Sequence, residues 1–140
     1  MAIELVPLAT ATATLAAPLM LPNTPVGTRV IFEIVEFCWE GPRFTARQKG
    51  AAAADWLAVG PDGTGTLDVR VTLETGDGAL VLVQYGGRVD TSRGLGGGPV
   101  YSAPRFETGD ERYGWLNRIQ AVAKGRLVGN VVTYEVYEVR

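Results

Sequence analysis

A strictly alternating segment followed by a tight turn is the feature that most constrains the fold of this chain. In Thr66–Glu74, apolar and polar residues occupy alternate positions, with Leu67, Val69, Val71 and Leu73 on one face and Asp68, Arg70 and Thr72 on the other. A period of two is typical of a β-strand. Gly76-Asp77-Gly78 follows, and Ala79–Val89 has the composition of a partner strand, so the two segments predict an antiparallel hairpin.

The rest of the chain repeats this pattern of strands and short turns. Gly86-Gly87 indicates a bulge or bend, Leu21–Gly27 a connector, and Thr91–Pro99 a glycine-rich loop. The further predicted strands are Glu4–Leu15, Thr28–Trp39, Arg43–Gln48, Asp55–Val59, Val100–Phe106, Trp115–Val128 and Val131–Val139, the last with Tyr134 and Tyr137 on opposite faces.

About eight to ten such strands, with little or no helix, predict an all-β antiparallel sandwich or barrel. We favour a single-domain barrel over residues 1–140, because closure removes the exposed strand edges.

Composition excludes several kinds of chemistry. The 140 residues contain no His, one Cys and a net charge of −2. Sites that use His, whether Ser-His or Cys-His pairs or His-ligated metals, are therefore impossible, and we predict neither a cofactor nor a metal. The scattered Lys and Arg residues argue against nucleic acid as a partner. No apolar run approaches the ~20 residues of a membrane helix, and Met1–Leu21 lacks the basic start of a signal peptide, so we expect a cytoplasmic protein without a membrane partner.

The polar stripe Asp68-Arg70-Thr72 allows two interpretations. It is either a solvated outer face or the wall of a barrel lumen, where Arg70 would hold a substrate oxyanion. In the second case, the apolar face of the same strand would be buried against another subunit.

Tyr113, Trp115 and Asn117 fall on one face of the predicted strand that contains them. They form either a packed interior or an aromatic pocket with one amide to orient a ligand. Glu40, Asp55 and Glu107 lie near strand ends, the last two beside Trp56 and Phe106. Carboxylates at such positions commonly cap turns, but two that converge in a pocket would have one pKa raised toward neutrality.

Seven motifs in order give the chain a family resemblance. They are Glu40-Gly41-Pro42-Arg43, Ala54-Asp55-Trp56, Leu67–Leu73, Asp77-Gly78-Ala79, Pro104–Thr108, Arg112–Asn117 and Val136–Val139. Together they resemble the DUF3237 (UPF0311) family over essentially the whole chain. The resemblance implies a compact antiparallel β-barrel that self-associates, but no established activity. Among the residues it marks as characteristic are the Asp68-Arg70-Thr72 stripe, Asp55-Trp56, Phe106-Glu107 and the Tyr113–Asn117 run. The chain departs from the family at Ala51–Ala54, where glycines are usual, and has a shorter Gly94–Gly98 loop.

These observations lead to one preferred function and two rivals. We expect a cofactor-independent barrel enzyme that acts by acid–base chemistry on a small oxygenated molecule, aromatic or polyketide-like, by cyclisation, isomerisation, hydration or elimination. Asp55 or Glu107 would be the base, Tyr85 or Tyr113 the proton donor, and Arg70 and Asn117 the oxyanion ligands. Trp115, Trp56, Asp68 and Glu40 would line the substrate site. All these groups should meet in one cavity, in a homodimer or larger homo-oligomer. The rivals are a small-molecule carrier and a purely structural oligomer.

Overall fold

Eight antiparallel strands close into a barrel in the computed structural model, which describes residues 1–140. In order around the wall they are β1 (Leu5–Leu15), β3 (Gly27–Glu40), β5 (Ala54–Val59), β6 (Thr64–Thr75), β7 (Leu80–Asp90), β8 (Val100–Ser102), β10 (Gln120–Val128) and β11 (Val131–Val139), which pairs with β1 again. Three short strands lie outside this circuit. They are β2 (Leu19–Thr24) on β3, β4 (Ala46–Gln48) between β3 and β6, and β9 (Arg105–Glu107) on β7. The predicted all-β barrel is confirmed.

The predicted hairpin is confirmed with its register. Glu74 pairs with Leu80 and Thr72 with Leu82, and Gly78 in the turn has a φ of 88°, a conformation that suits glycine. The bulge predicted at Gly86-Gly87 is absent, because β6 and β7 stay in register through both residues. Instead, a Cβ at Gly87 would collide with the Tyr101 carbonyl oxygen, so this glycine lets β8 pack closely against β7.

The apolar face of β6 lies inside the barrel. Leu67, Val69, Val71 and Leu73 are buried, whereas Asp68 and Arg70 are exposed on the outer wall. The prediction that the polar stripe lines the lumen is therefore wrong. In a closed barrel the apolar face turns inward, because only the interior removes it from water.

Residues 111–118 form a short helix, which includes the first four residues of the predicted strand Trp115–Val128. The 3-10 helix Glu111–Arg118 begins at Asp110, whose side chain accepts a hydrogen bond from the Arg112 backbone N–H, and β10 starts only at Gln120. Leu116 is the residue of this helix that is fully buried. Tyr113, Trp115 and Asn117 consequently do not share a strand face.

Two other segments also differ from the predictions. The predicted connector Leu21–Gly27 contains the end of strand β2, which tolerates Pro22 because the register shifts between Leu21 and Thr24 and because β2 is an edge strand. The predicted strand Val100–Phe106 divides into β8 and β9 around Ala103 and Pro104.

The two ends of the barrel differ. The aromatic end is filled by rings that pack at 5.6–6.2 Å between centroids and is covered by the 3-10 helix; the rings belong to Phe37, Trp39, Phe44, Phe106 and Tyr113. The open end is bounded by the turns at 60–63 and 129–130 and by the loop 91–99. Because packed rings fill the aromatic end, a polar site inside the barrel should lie at the open end.

Candidate active site

A cavity of about 50 Å³ lies inside the open end of the barrel, and ten of its twelve lining residues are hydrophobic. Two of its lining side chains have polar atoms: the carboxylate of Asp55 and the hydroxyl of Tyr134, which is counted among the ten because of its ring. Leu95 and Gly96 from the loop 91–99 contribute to its rim, and Leu127 and Val132 come from the β10–β11 hairpin. We call this space the Asp55 cavity.

Strand β5 turns Asp55 toward the interior. Asp55 pairs with the inward-facing Phe32 of β3, two residues before Leu57 on the same face. The regular β5–β6 pairing is interrupted after Asp55 and Val69, and the backbone N–H of Asp68 donates to Asp55 Oδ1 at 3.0 Å instead. Oδ2 accepts no hydrogen bond from the protein, so this oxygen is available to a ligand.

Burial raises the pKa of Asp55 to about 6. The hydrogen bond from Asp68 N–H lowers the pKa, the charge of Asp68 raises it and that of Arg29 lowers it, and desolvation is the largest effect. A carboxyl group with this pKa exchanges protons near neutral pH, as a general base must.

Tyr134 and Tyr85 form a hydroxyl pair next to Asp55. The Tyr85 hydroxyl donates to the Tyr134 oxygen at 3.4 Å, and the rings meet edge to face at 5.7 Å. Burial raises the pKa of both phenols, and the negative charge of Asp55 raises both further. Both hydroxyls therefore remain protonated at neutral pH and act as donors.

Tyr134 was not among the predicted site residues. It lies opposite Gly125 on β10, and a Cβ at Gly125 would overlap the Tyr134 ring. A glycine opposite an aromatic residue in a hairpin is a signal that could have identified Tyr134, because the missing side chain makes room for the ring.

The remaining predicted residues do not enter the Asp55 cavity. Arg70, Asp68 and Glu40 are exposed. Trp56 lies with Asp68 in an open groove on the outer wall, where the Arg29 guanidinium donates to the Trp56 carbonyl oxygen at 2.8 Å.

Glu107 and Asn117 border another open groove, together with Arg105 and Gln84 on the outer wall. The Asn117 side chain caps Thr108, accepting from its N–H at 2.8 Å and donating to its carbonyl oxygen at 2.9 Å. Asp55 and Glu107 thus lie on opposite sides of the barrel wall, and the predicted pair of converging carboxylates does not exist.

Tyr113 and Trp115 hold the 3-10 helix in place at the aromatic end. The Tyr113 hydroxyl donates to the Asp77 carboxylate at 3.0 Å, and the Arg43 guanidinium lies 4.6 Å above the half-buried Trp115 ring. The expected single cavity of Asp55, Arg70, Tyr113, Asn117 and Glu107 is therefore wrong. Of the site residues predicted from the sequence, Asp55 lies in the cavity and Tyr85 lies behind Tyr134, to which it is hydrogen-bonded.

Glu138 forms a second, separate polar cluster that the sequence did not reveal. Its buried carboxylate bonds Arg43 at 2.7 Å and Arg140 at 3.2 Å, and hydrogen bonds from Arg140 and Arg43 lower its pKa. Because Arg43 also covers Trp115, this cluster ties the last strand to the aromatic end.

No group of three or more His, Cys, Asp or Glu side chains is placed to hold a metal ion. None of the helical residues form a segment that could cross a membrane.

A model of the DUF3237 proteins, described as proteins of unknown function, matches residues 3–139. The chain belongs to the DUF3237 family. A UPF0311 protein of Bradyrhizobium diazoefficiens is 29% identical, and the alignment covers 84% of this chain and 84% of that protein.

Solved structures share this DUF3237 fold. A β-barrel-like protein of Acinetobacter baumannii is 29% identical, with a TM-score of 0.87 over 100% of this chain and 98% of that one. An enzyme from Penicillium herquei is 22% identical, with a TM-score of 0.72 over 99% of this chain and 94% of that one, a likeness of fold alone.

Proposed function

We propose that this DUF3237 protein is a cofactor-independent enzyme that transfers a proton within a small, largely apolar molecule bound in the Asp55 cavity. The observation that carries the proposal is that a carboxyl group and a phenol, Asp55 and Tyr134, line the same apolar cavity, where burial raises the pKa of the carboxyl group to about 6. Asp55 Oδ2 acts as the base, and Tyr134 acts as the hydrogen-bond donor. The Penicillium herquei enzyme supports the proposal to the extent that the same fold accommodates catalysis.

The division of labour follows from the surroundings of each group. The Asp68 N–H fixes the Asp55 carboxylate, which keeps Oδ2 directed to one place. The cavity walls are mostly apolar, so the electrostatic effect of the Tyr134 hydroxyl on a developing negative charge is larger than in water. Isomerisation, cyclisation, hydration and elimination can all be catalysed by this combination of base and donor.

A carrier without turnover is the second candidate. The predominance of apolar residues in the wall favours it, because apolar walls with few polar groups are also typical of binding sites. A carrier needs no titrating carboxylate, so Asp55→Asn, which keeps the shape and the bond to Asp68, should leave its affinity nearly unchanged.

The test is a screen of small oxygenated compounds in D2O. The protein should introduce deuterium into, or convert, members of the screen, with a rate that rises through the pKa of about 6. Asp55→Asn should reduce the rate by roughly 100-fold or more, whereas Glu107→Gln, on the outer wall, should not change it. Binding without any Asp55-dependent exchange would support the carrier and contradict the enzyme. The absence of both binding and exchange would contradict both functions.

A further inference from the structure

The polar groups of the Asp55 cavity restrict the charge of its ligand. The wall contains one carboxylate and one phenol and no Lys or Arg. A substrate carboxylate or phosphate would be buried beside Asp55 without a cation, which is costly. An ammonium group would pair with the Asp55 carboxylate, lower its pKa and occupy the oxygen that the proposed base needs, so it would prevent proton abstraction. The cavity therefore suits a neutral molecule.

The tyrosine pair is arranged to donate to one ligand oxygen. Tyr85 is enclosed behind Tyr134, and its proton is used in the bond to the Tyr134 oxygen. The proton of Tyr134 is left for a ligand in the cavity that Tyr134 lines. Hydrogen bonds in such a chain polarise one another, so Tyr134 becomes a stronger donor to an oxygen that gains negative charge.

The base and the donor together identify the acidic group. Asp55 is a weak base, and it can remove a proton from carbon only where an adjacent carbonyl group accepts the charge. We propose that the substrates are small neutral enolisable ketones, above all β,γ-unsaturated ones, with the carbonyl oxygen at Tyr134 and the α-carbon at Asp55 Oδ2. This inference rests on the proposed function and narrows it to one class of substrate.

Each step of the reaction balances in atoms and electrons. Asp55 Oδ2 takes the α-proton, the C–H electron pair becomes the bond between the α-carbon and the carbonyl carbon, and the carbonyl π pair moves to the oxygen. Tyr134 donates a hydrogen bond to that oxygen and keeps its proton. Asp55 then returns the proton to the γ-carbon: an oxygen pair re-forms the carbonyl π bond, the pair between the carbonyl carbon and the α-carbon moves to the α–β bond, and the former β–γ π pair forms the new C–H bond. The double bond is then conjugated with the carbonyl. No oxidant, reductant or water is consumed.

The rest of the substrate should be apolar and should extend toward the rim. The cavity of about 50 Å³ accepts only the reacting part of a molecule, and Leu95 and Leu127 lie among the residues that line it. Leu95 is also partly exposed, so the cavity wall continues to the surface there. Apolar substituents placed away from the carbonyl should therefore lower KM, whereas charged ones should raise it.

The test uses cyclohex-3-en-1-one and homologues with apolar ring substituents. Their conversion to the conjugated 2-enones is followed by ultraviolet absorption. NMR in D2O measures deuterium at the α-carbon of the remaining ketone and at the γ-carbon of the product. The matched control compound is cyclohex-3-en-1-ol, which has the same ring but no carbonyl. The variants are Asp55→Asn, Tyr134→Phe and Tyr85→Phe, with Tyr113→Phe as a control phenol at the other end of the barrel.

We expect the wild type to isomerise the ketones and to leave the alcohol unchanged. Asp55→Asn and Tyr134→Phe should each lower kcat by roughly 100-fold, and Tyr113→Phe should not. Tyr85 is a positioning residue, so Tyr85→Phe should lower kcat less and leave KM unchanged. Circular dichroism establishes that each variant folds. Binding of 4-nitrophenol, whose anion is an enolate analogue, gives a readout independent of turnover, and it should be tighter to Asp55→Asn than to Tyr134→Phe.

Two outcomes would overturn the inference in different ways. If no ketone of the series reacts faster with the wild type than with Asp55→Asn, while phenols or alkenes of the wider screen show Asp55-dependent exchange, the substrate class is wrong and the proposed function stands. If no compound of either set shows Asp55-dependent exchange, the inferred substrate class and the proposed function are both wrong.

Discussion

Asp55 is the residue whose environment departs most from what its position in a strand would suggest. A carboxyl group on the inward face of a barrel loses hydration, and its one hydrogen bond from the protein, at 3.0 Å, offsets only part of that loss. Such a residue lowers the stability of the fold at neutral pH, which is typical of residues kept for chemistry.

The first prediction concerns the stability that the fold loses because the Asp55 carboxylate is buried. The folded-state pKa of Asp55, about 6, lies above the ordinary value of an unfolded chain, so the folded state binds more protons between these two values. Stability from this group is present below the unfolded pKa and is lost as pH rises through about 6. The free energy of unfolding of the wild type, minus that of Asp55→Asn, should fall by about 2 kcal/mol between pH 4 and 7. Urea titrations at a series of pH values measure it, and a flat difference would contradict the raised pKa.

Ser102 is the second residue with an unusual environment. Its hydroxyl is buried on β8 without a hydrogen-bond partner, between Gly87 and Ala123 of the neighbouring strands. Removing an unsatisfied buried hydroxyl releases its desolvation cost. Ser102→Ala should therefore raise the free energy of unfolding by about 1 kcal/mol, measured by chemical denaturation. A loss of stability would mean that the hydroxyl has a partner, such as a buried water.

At the scale of elements, the sequence predicted most of the strands because their alternation and turn residues are local signals. Alternation defines two faces but not which of them is inside, and the Asp68-Arg70-Thr72 stripe was assigned to the lumen because the family resemblance marks it as characteristic, which the pattern alone did not favour. The 3-10 helix was missed because its cap, Asp110, and its anchor, Leu116, lie in a stretch rich in strand-forming aromatic residues. The Tyr85–Tyr134 pair could not be predicted, since the two residues are separated by 49 positions and meet only when the barrel closes.

The 3-10 helix supplies the third prediction. Leu116 is fully buried, whereas Trp115 is half-buried, packs against the edge of the core and is covered by Arg43. Leu116→Ala should lower the free energy of unfolding by about 2–5 kcal/mol, and Trp115→Ala by about 1–2 kcal/mol, although the indole is the larger side chain. Thermal or chemical unfolding of the two variants gives the order. A larger loss for Trp115→Ala would show that the indole belongs to the core.

At the scale of the whole molecule, the two ends of the barrel have separate roles. The aromatic end is closed by packed rings, by the 3-10 helix and by the Glu138 ion pairs. The open end has the cavity, a glycine-rich loop and the projecting β2–β3 hairpin. Stability and chemistry are thus placed at opposite ends of one interior, so that a polar site does not interrupt the main core.

The last prediction is self-association. The apolar face of β6 is buried inside the barrel, so we expect the contact between subunits at strand β2. Strand β2 pairs with β3 on one side only, and Leu19, Met20 and Leu21 are exposed on it. From Leu5 to Thr28 the chain contains no charged residue, whereas free strand edges usually include charges that prevent pairing with another chain. We therefore expect a second copy to pair along β2, giving a particle at least twice the 14.9 kDa of the chain by light scattering at micromolar concentration.

Met20→Lys should shift the particle toward the monomer, because pairing would bury the ammonium group. Val128→Lys, at another exposed apolar position near the β10–β11 turn, should not. A wild-type monomer, or an equal shift by both substitutions, would contradict an interface at β2.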